Sequence, residues 1–316
     1  MKTLKITFIL LLSSLIFTSC VIDQSSVYNY DSGISLDELL QSKDLWYIDY
    51  NQTQGNGDVR FMSLAFTLSF SNGNVYANNN LVGLGNVGNG YGDQIGYYGT
   101  NGTFLEIDHD LDGYKNFEVV QLSTNRLKFI SQNANVSFTL IGYNKNEFDY
   151  DAIFYDNIEY FLQEYTTWYK TETIGGVEND FDYENYLAFI PENRNRFLSS
   201  QDVVGANLDT LIWDFSGNYE VFDVQGTDTL KVIELDYDQN GIEEFELSIL
   251  NDGKIELYHI ASDTTYIFEG NGQIIYKREG NSGKTKIKTP RKRFKVNRKV
   301  KTRKKHIKKI SNRAKK

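Results

Sequence analysis

The chain has 316 residues, with 33 Lys/Arg against 42 Asp/Glu and a net charge of −9. Its single cysteine, Cys20, excludes a disulfide framework, so stability has to come from a packed core. The charge is segregated: residues 281–316 carry 18 Lys/Arg and no acid, which leaves 13 Lys/Arg and all 42 Asp/Glu to residues 21–280 once Lys2 and Lys5 are set aside.

Lys2 and Lys5 precede a short apolar run from Ile6 to Phe17, and Thr18-Ser19-Cys20 follows. A basic start, an apolar run too short to span a bilayer and small residues at its end form a secretory signal. The segment is similar to bacterial lipoprotein signals, which implies that residues 1–20 are the signal and that Cys20 becomes the lipidated first residue. Several acyl chains on one residue anchor firmly. The expected location is the cell envelope, at the outer membrane. Residues 21–33 are polar and read as a tether.

The remaining chain is rich in Tyr (22) and Phe (20), poor in Pro (2), and carries recurrent Asn-Gly and Asp-Gly pairs. That composition predicts antiparallel hairpins. Ser35-Leu36-Asp37-Glu38 is a capping box, so a short helix starts there. Strand composition follows over 46–53, 62–70, 74–78, 104–108, 116–122, 126–131 and 136–143. Phe154, Ile158, Phe161, Leu162, Tyr165, Trp168 and Tyr169 recur at helical spacing and predict a second helix. Further strands are expected over 187–190, 211–215, 219–223, 230–236, 244–250, 254–260 and 264–268.

The chain repeats itself. Residues 105–142 align without gaps on 233–270, pairing Glu106, Asp108, Asp110, Gly113, Phe117, Glu118 and Gly142 with Glu234, Asp236, Asp238, Gly241, Phe245, Glu246 and Gly270. Upstream, Leu39-Leu40-Gln41 and Trp46-Tyr47 match Phe161-Leu162-Gln163 and Trp168-Tyr169. Both copies run helix, Trp-Tyr strand, meander. Two β domains are expected, 34–145 and 146–278, the second with an insertion near 191–208. Residues 279–316 form a basic tail, expected to be disordered when free.

An opening helix, a Trp just after it and a meander ending in a Phe/Leu-rich strand make each copy resemble the lipocalin-like domains of Bacteroidetes envelope proteins. The resemblance implies small antiparallel barrels or half-barrels. The stretches LWYIDYNQT, VYANNNLVG and FYDNIEYFLQEY are similar to a group of flavobacterial lipoproteins of unassigned role. Some of that group carry the label nicotinic acid mononucleotide adenylyltransferase. That activity needs a His-x-Gly-His phosphate site on a parallel α/β fold, whereas His109, His259 and His306 stand apart.

The sharpest candidate chemistry is acidic. Asp108-His109-Asp110-Leu111-Asp112-Gly113 and its repeat partner Asp236-Tyr237-Asp238-Gln239-Asn240-Gly241 place oxygens at alternate positions around a Gly turn. Such oxygens suit Ca²⁺ if they converge. Asp108, Asp110, Asp112, Asp236, Asp238 and Asn240 are therefore the candidate ligands; an acidic hairpin turn is the competing reading. Gly83-Leu84-Gly85-Asn86-Val87-Gly88 matches a dinucleotide fingerprint but lacks a following helix, so a loop is expected. Asn78, Asn79, Asn80, Tyr91, Tyr97 and Tyr98 make that loop a candidate ligand surface at a barrel mouth. His109 and His259 are expected on strand surfaces.

In the tail, Arg291, Lys292, Arg293, Arg303, Lys304 and Lys305 are candidate contacts for an anionic surface. Three partners fit: anionic lipid or lipopolysaccharide, nucleic acid, which is less available outside the cytoplasm, and the protein's own acidic body. The expected function is a non-catalytic envelope binding or scaffold protein. A metal-dependent hydrolase built on the acidic hairpins, or a subunit of an envelope complex, is the alternative.

Overall fold

The computed structural model describes residues 33–191, 195–239, 241–274 and 292–302. Cys20 with its signal, Asn240, Arg291, Arg303, Lys304 and Lys305 lie outside the described residues.

The first eight strands are β1 (Leu45–Gly55), β2 (Thr67–Ser71), β3 (Asn74–Asn78), β4 (Asp93–Asn101), β5 (Phe104–His109), β6 (Gly113–Ser123), β7 (Arg126–Ser131) and β8 (Val136–Tyr143). Each pairs antiparallel with the next, and β8 returns to β1 through Trp46↔Gly142 and Ile48↔Leu140, closing a barrel. The second set is β9 (Tyr165–Gly175), β10 (Tyr186–Phe189), β11 (Arg196–Ser200), β12 (Phe215–Val224), β13 (Thr227–Tyr237), β14 (Gly241–Asn251), β15 (Lys254–His259) and β16 (Thr264–Gln273). Pairing of β16 with β9 and of β11 with β12 closes this one too. The mainly β, tandem two-barrel architecture expected from the repeat is the fold. Strand alternation explains it locally: Leu127 and Phe129 on β7 enter the core while Arg126 and Lys128 remain partly exposed.

Two buried tryptophans mark the repeat. Trp46 Nε1 donates to Leu40 O and Trp168 Nε1 to Leu162 O, each at 2.8 Å. The acceptors lie in the helices that precede β1 and β9: α1 (Leu36–Gln41), capped by Ser35 and Glu38, and α4 (Ile158–Leu162), which follows α3 (Tyr150–Asp156). The indole ties each helix to its barrel while its ring fills the core.

The barrels share a core. Leu45-Trp46-Tyr47-Ile48 are buried on both faces of β1. Trp46 and Ile48 point into the first barrel, whereas Leu45 and Tyr47 join a cluster with Phe154, Ile158 and Phe161 of the second unit. Glu164, fully buried, accepts from the backbone N–H groups of Leu81 (3.0 Å) and Val82 (2.8 Å). Asn80 Nδ2 donates to Ile274 O, and Asn157 Nδ2 to Tyr47 Oη.

Several expectations are corrected. The stretch 62–70 begins as a helical turn, α2 (Arg60–Leu64), and only Thr67 onward is strand. The helical stripe 154–169 breaks at Asn157 and again after Leu162, so Trp168 and Tyr169 sit on β9. Of the stretch 211–215 only Phe215 is strand, as the first residue of β12, and β11 lies where an insertion was expected. The described part of the tail is ordered: Val300–Lys301 form β17, parallel to β12.

Candidate functional site

The acidic hairpins keep their repeat relationship, and their described residues are spread along the two turns. In each, a turn joins two strands, with His109 paired to Gly113 and Tyr237 to Gly241. Gly113 and Gly241 adopt positive φ (66° and 93°), which is why glycine closes both turns. Alternation sends His109 and Tyr237 inward and leaves Asp108, Asp110, Asp236 and Asp238 exposed. Asp238 is taken by Arg196 through two bonds (2.8 and 2.7 Å) and by Ser216 Oγ, which hold its carboxyl below the usual carboxylate range. Among the described residues no three His, Cys, Asp or Glu side chains converge.

The polar loop 78–98 seals a junction. Asn78 is buried against Thr67 Oγ1, Tyr91 Oη donates to Asp44, Tyr98 Oη donates to Asp37, and Leu81, Val82 and Leu84 enter the shared core. Tyr97 remains exposed, and Asn79 is half-buried. The glycine run 83–88 leads into a four-residue 3-10 turn. The loop therefore spends Asn78, Asn80, Tyr91 and Tyr98 on internal bonds.

Of the three partners left open for the tail, the acidic body is the one that residues 292–302 meet. Lys292 pairs with Asp58 at 3.4 Å. Arg293 is 1% exposed; its guanidinium lies 4.5 Å from the Phe66 ring centroid and 5.1 Å from that of Tyr50, and its backbone N–H donates to Ser63 O. Arg298 grips Glu159 through two bonds (2.9 and 2.7 Å) and donates to Tyr155 O and Asp156 O at the end of α3. Lys299 meets Glu220 at 2.9 Å, and Lys301 meets Glu234 and Glu244. The strap thus bridges both barrels.

The strap also walls a cavity. Among the described residues, strand β11 covers only Phe215–Asn218 of β12, and the next bond along that edge is Tyr219 N–H to Asn195 O. The strap resumes the pairing at Asp223, whose N–H donates to Lys299 O. Between them opens a cavity of about 530 Å³. Tyr160, Gln163, Tyr219 and Val221 form its floor, Phe294, Lys295 and Asn297 one wall, and Glu220, Glu234 and Asp236 its acidic rim.

A second polar cluster sits inside the second barrel. Glu184 is buried and accepts from Ser199 Oγ and from Tyr237 Oη (2.7 Å); burial pushes its carboxyl up to about 7. Buried Lys170 donates to Asp182 O at 2.6 Å and to Phe181 O, and desolvation lowers its ammonium to about 8. His259 Nε2 lies 2.6 Å from Glu243, and its Nδ1 lies 2.7 Å from Ser262 Oγ. This has the order of an acid–base–nucleophile chain. Ser262 Oγ is already engaged by Asn179 Nδ2 and Thr264 Oγ1, so the chain braces a turn. Both described histidines are buried, correcting the expected surface placement; His109 stacks on Phe61 at 4.8 Å. In the first copy the positions of Lys170, Ser262 and Thr264 are Ile48, Ala134 and Val136. That apolar-to-polar replacement across the repeat is the sequence signal that could have found the cluster.

No protein-family model matches the chain, and no curated protein matches it.

Proposed function

We propose that the protein is a non-catalytic binding protein of the cell envelope, held to the outer membrane through lipid on Cys20, with its ligand in the flank of the second barrel. The 530 Å³ cavity carries this reading. Its size falls within the range of small-molecule sites, roughly 300–1,000 Å³, and its apolar floor with a few convergent polar groups is the usual makeup of one. Tyr219, Tyr160 and Val221 supply contact area; Asn218, Asn297 and the acidic rim supply orientation.

Native mass spectrometry of the protein after incubation with an envelope extract tests the reading. A bound small organic mass is expected on the wild type and is lost in Asn218→Trp, which fills the cavity from an exposed strand position. A bare polypeptide mass in both proteins would end it.

A further inference from the structure

We propose that β17 is a releasable strand, which an anionic phospholipid surface takes from its carboxylate partners on the cavity rim. The proposal deepens the binding reading by giving the cavity a regulator, and it rests on that reading only for its consequence.

The strap is held in two different ways. Its first half is anchored by burial: Arg293 lies among Ile48, Tyr50 and Phe66, and the Arg298–Glu159 pair is 8% and 12% exposed and doubly bonded. Breaking a buried pair of this kind strands a charge in the interior. The second half is held at the surface. Lys299 and Glu220 are 72% and 49% exposed, and Lys301 meets Glu234 and Glu244 at a part-exposed site. Val300 is 66% exposed. Exposed pairs are weak and are screened by salt. Arg298 is therefore the natural hinge, and residues 299–302 are the part that can leave.

The sequence supplies the competitor's grip. After Thr302 the chain carries eight Lys/Arg and no acid as far as Lys316. A basic run of this kind is drawn to anionic lipid headgroups, with each Lys/Arg adding attraction near the surface. With β17 docked, this run follows directly on Lys301, whose partners are Glu234 and Glu244, so a membrane that binds it must approach those carboxylates and meets repulsion. Once β17 is released, the acidic barrel can stand off while the basic run lies on the lipid. This difference between the two states gives the membrane its preference for the open one. Release leaves Glu220 and Glu234 without Lys299 and Lys301 on the cavity rim, so lipid contact makes the cavity more acidic and favours cationic ligands.

Amide hydrogen exchange on the full-length protein tests the proposal without any cavity ligand. The N–H groups of Asp223 and Gln225 donate to Lys299 O and Lys301 O, whereas Tyr219 N–H on the same edge donates to Asn195 O. With phosphatidylglycerol vesicles, exchange at Asp223 and Gln225 is expected to accelerate at least about tenfold while Tyr219 is unchanged. Phosphatidylcholine vesicles, and inorganic phosphate at matched ionic strength, should leave both amides protected. The double variant Lys299→Glu/Lys301→Glu should expose the same two amides without lipid, while β14 amides stay protected. Unchanged protection on phosphatidylglycerol, absence of binding to those vesicles, or a double variant that keeps both amides protected would each overturn the proposal. Loss of ligand binding in the cavity variant would leave it standing.

Discussion

At the scale of single residues, the second barrel carries ionisable groups that a β core ordinarily excludes. Glu184 is enclosed by Ser199, Tyr237 and, further off, Lys170 and Glu243. Its carboxyl rises from 4.5 to about 7, chiefly through desolvation. Between those pH values the folded state binds more protons than the unfolded one, so this group's stabilisation is complete below 4.5 and is lost as pH rises through 7. Lys170, lowered from 10.5 to about 8, works the other way: the unfolded state binds the extra proton between 8 and 10.5, so stability rises with pH there. Together they place the weakest point of the cluster between about 7 and 8. Glu184→Gln removes the carboxyl but keeps an acceptor for Ser199 and Tyr237. Denaturant unfolding across pH should show the variant gaining on the wild type by roughly 3 kcal/mol between pH 4.5 and 7, with a flat difference above that. A difference independent of pH would show that Glu184 titrates in the fold as it does in the unfolded chain.

At the scale of elements, the repeat preserves the fit of ring to backbone. Gly142 on β8 and Gly270 on β16 face aromatic rings so closely that an added Cβ would stand 2.7 Å from the Trp46 ring and 2.5 Å from that of Tyr165. Neither ring can yield: the Trp46 indole is bonded to Leu40 O, and Tyr165 is bonded to Asp252 O while packing on Trp168. Gly142→Ala and Gly270→Ala should each destabilise by roughly 1–3 kcal/mol, as overpacking of a close-fitted core does. Gly99→Ala, which meets no atom within 4 Å, should leave the melting temperature nearly unchanged. Thermal unfolding followed by circular dichroism checks all three. The gapless alignment of residues 105–142 on 233–270 made the meander and its turns readable from sequence, because the pleat imposes the same alternation on both copies. Strand β4 was not readable: Gly96 and Gly99 leave its alternation blank, and Gly96 is there because the backbone of Asp108 lies against it. The end of the helix after Leu162 was hidden as well, since Tyr165, Trp168 and Tyr169 continue the helical spacing by chance into β9. The cavity was illegible because it is made by a chain end crossing an incompletely covered strand edge, a contact with no local pattern.

At the scale of the whole molecule, the two barrels are coupled by groups that neither could leave exposed. Tyr47 and Leu45 on the outer face of β1 belong to the second unit's core, and the loop residues Leu81, Val82 and Leu84 join them there. Glu164 is the polar centre of that junction, since its two oxygens receive consecutive backbone N–H groups from the other barrel. The strap adds a second crossing, with Arg293 on the first barrel and Arg298 on the second. A chain with two independent cores would unfold in two steps; one with a shared core should unfold in one. Scanning calorimetry of the full chain is therefore expected to show a single transition. Glu164→Ala leaves the N–H groups of Leu81 and Val82 buried without this acceptor, at a cost of roughly 1–3 kcal/mol for each. The penalty falls on the junction and not on either barrel's own ladder. The variant should therefore lower the transition and broaden or split it into two, with the strap still guarded at the second barrel by Arg298 and Glu159. A variant that melts lower but in one sharp step would place the coupling in the apolar junction and the strap instead of in Glu164.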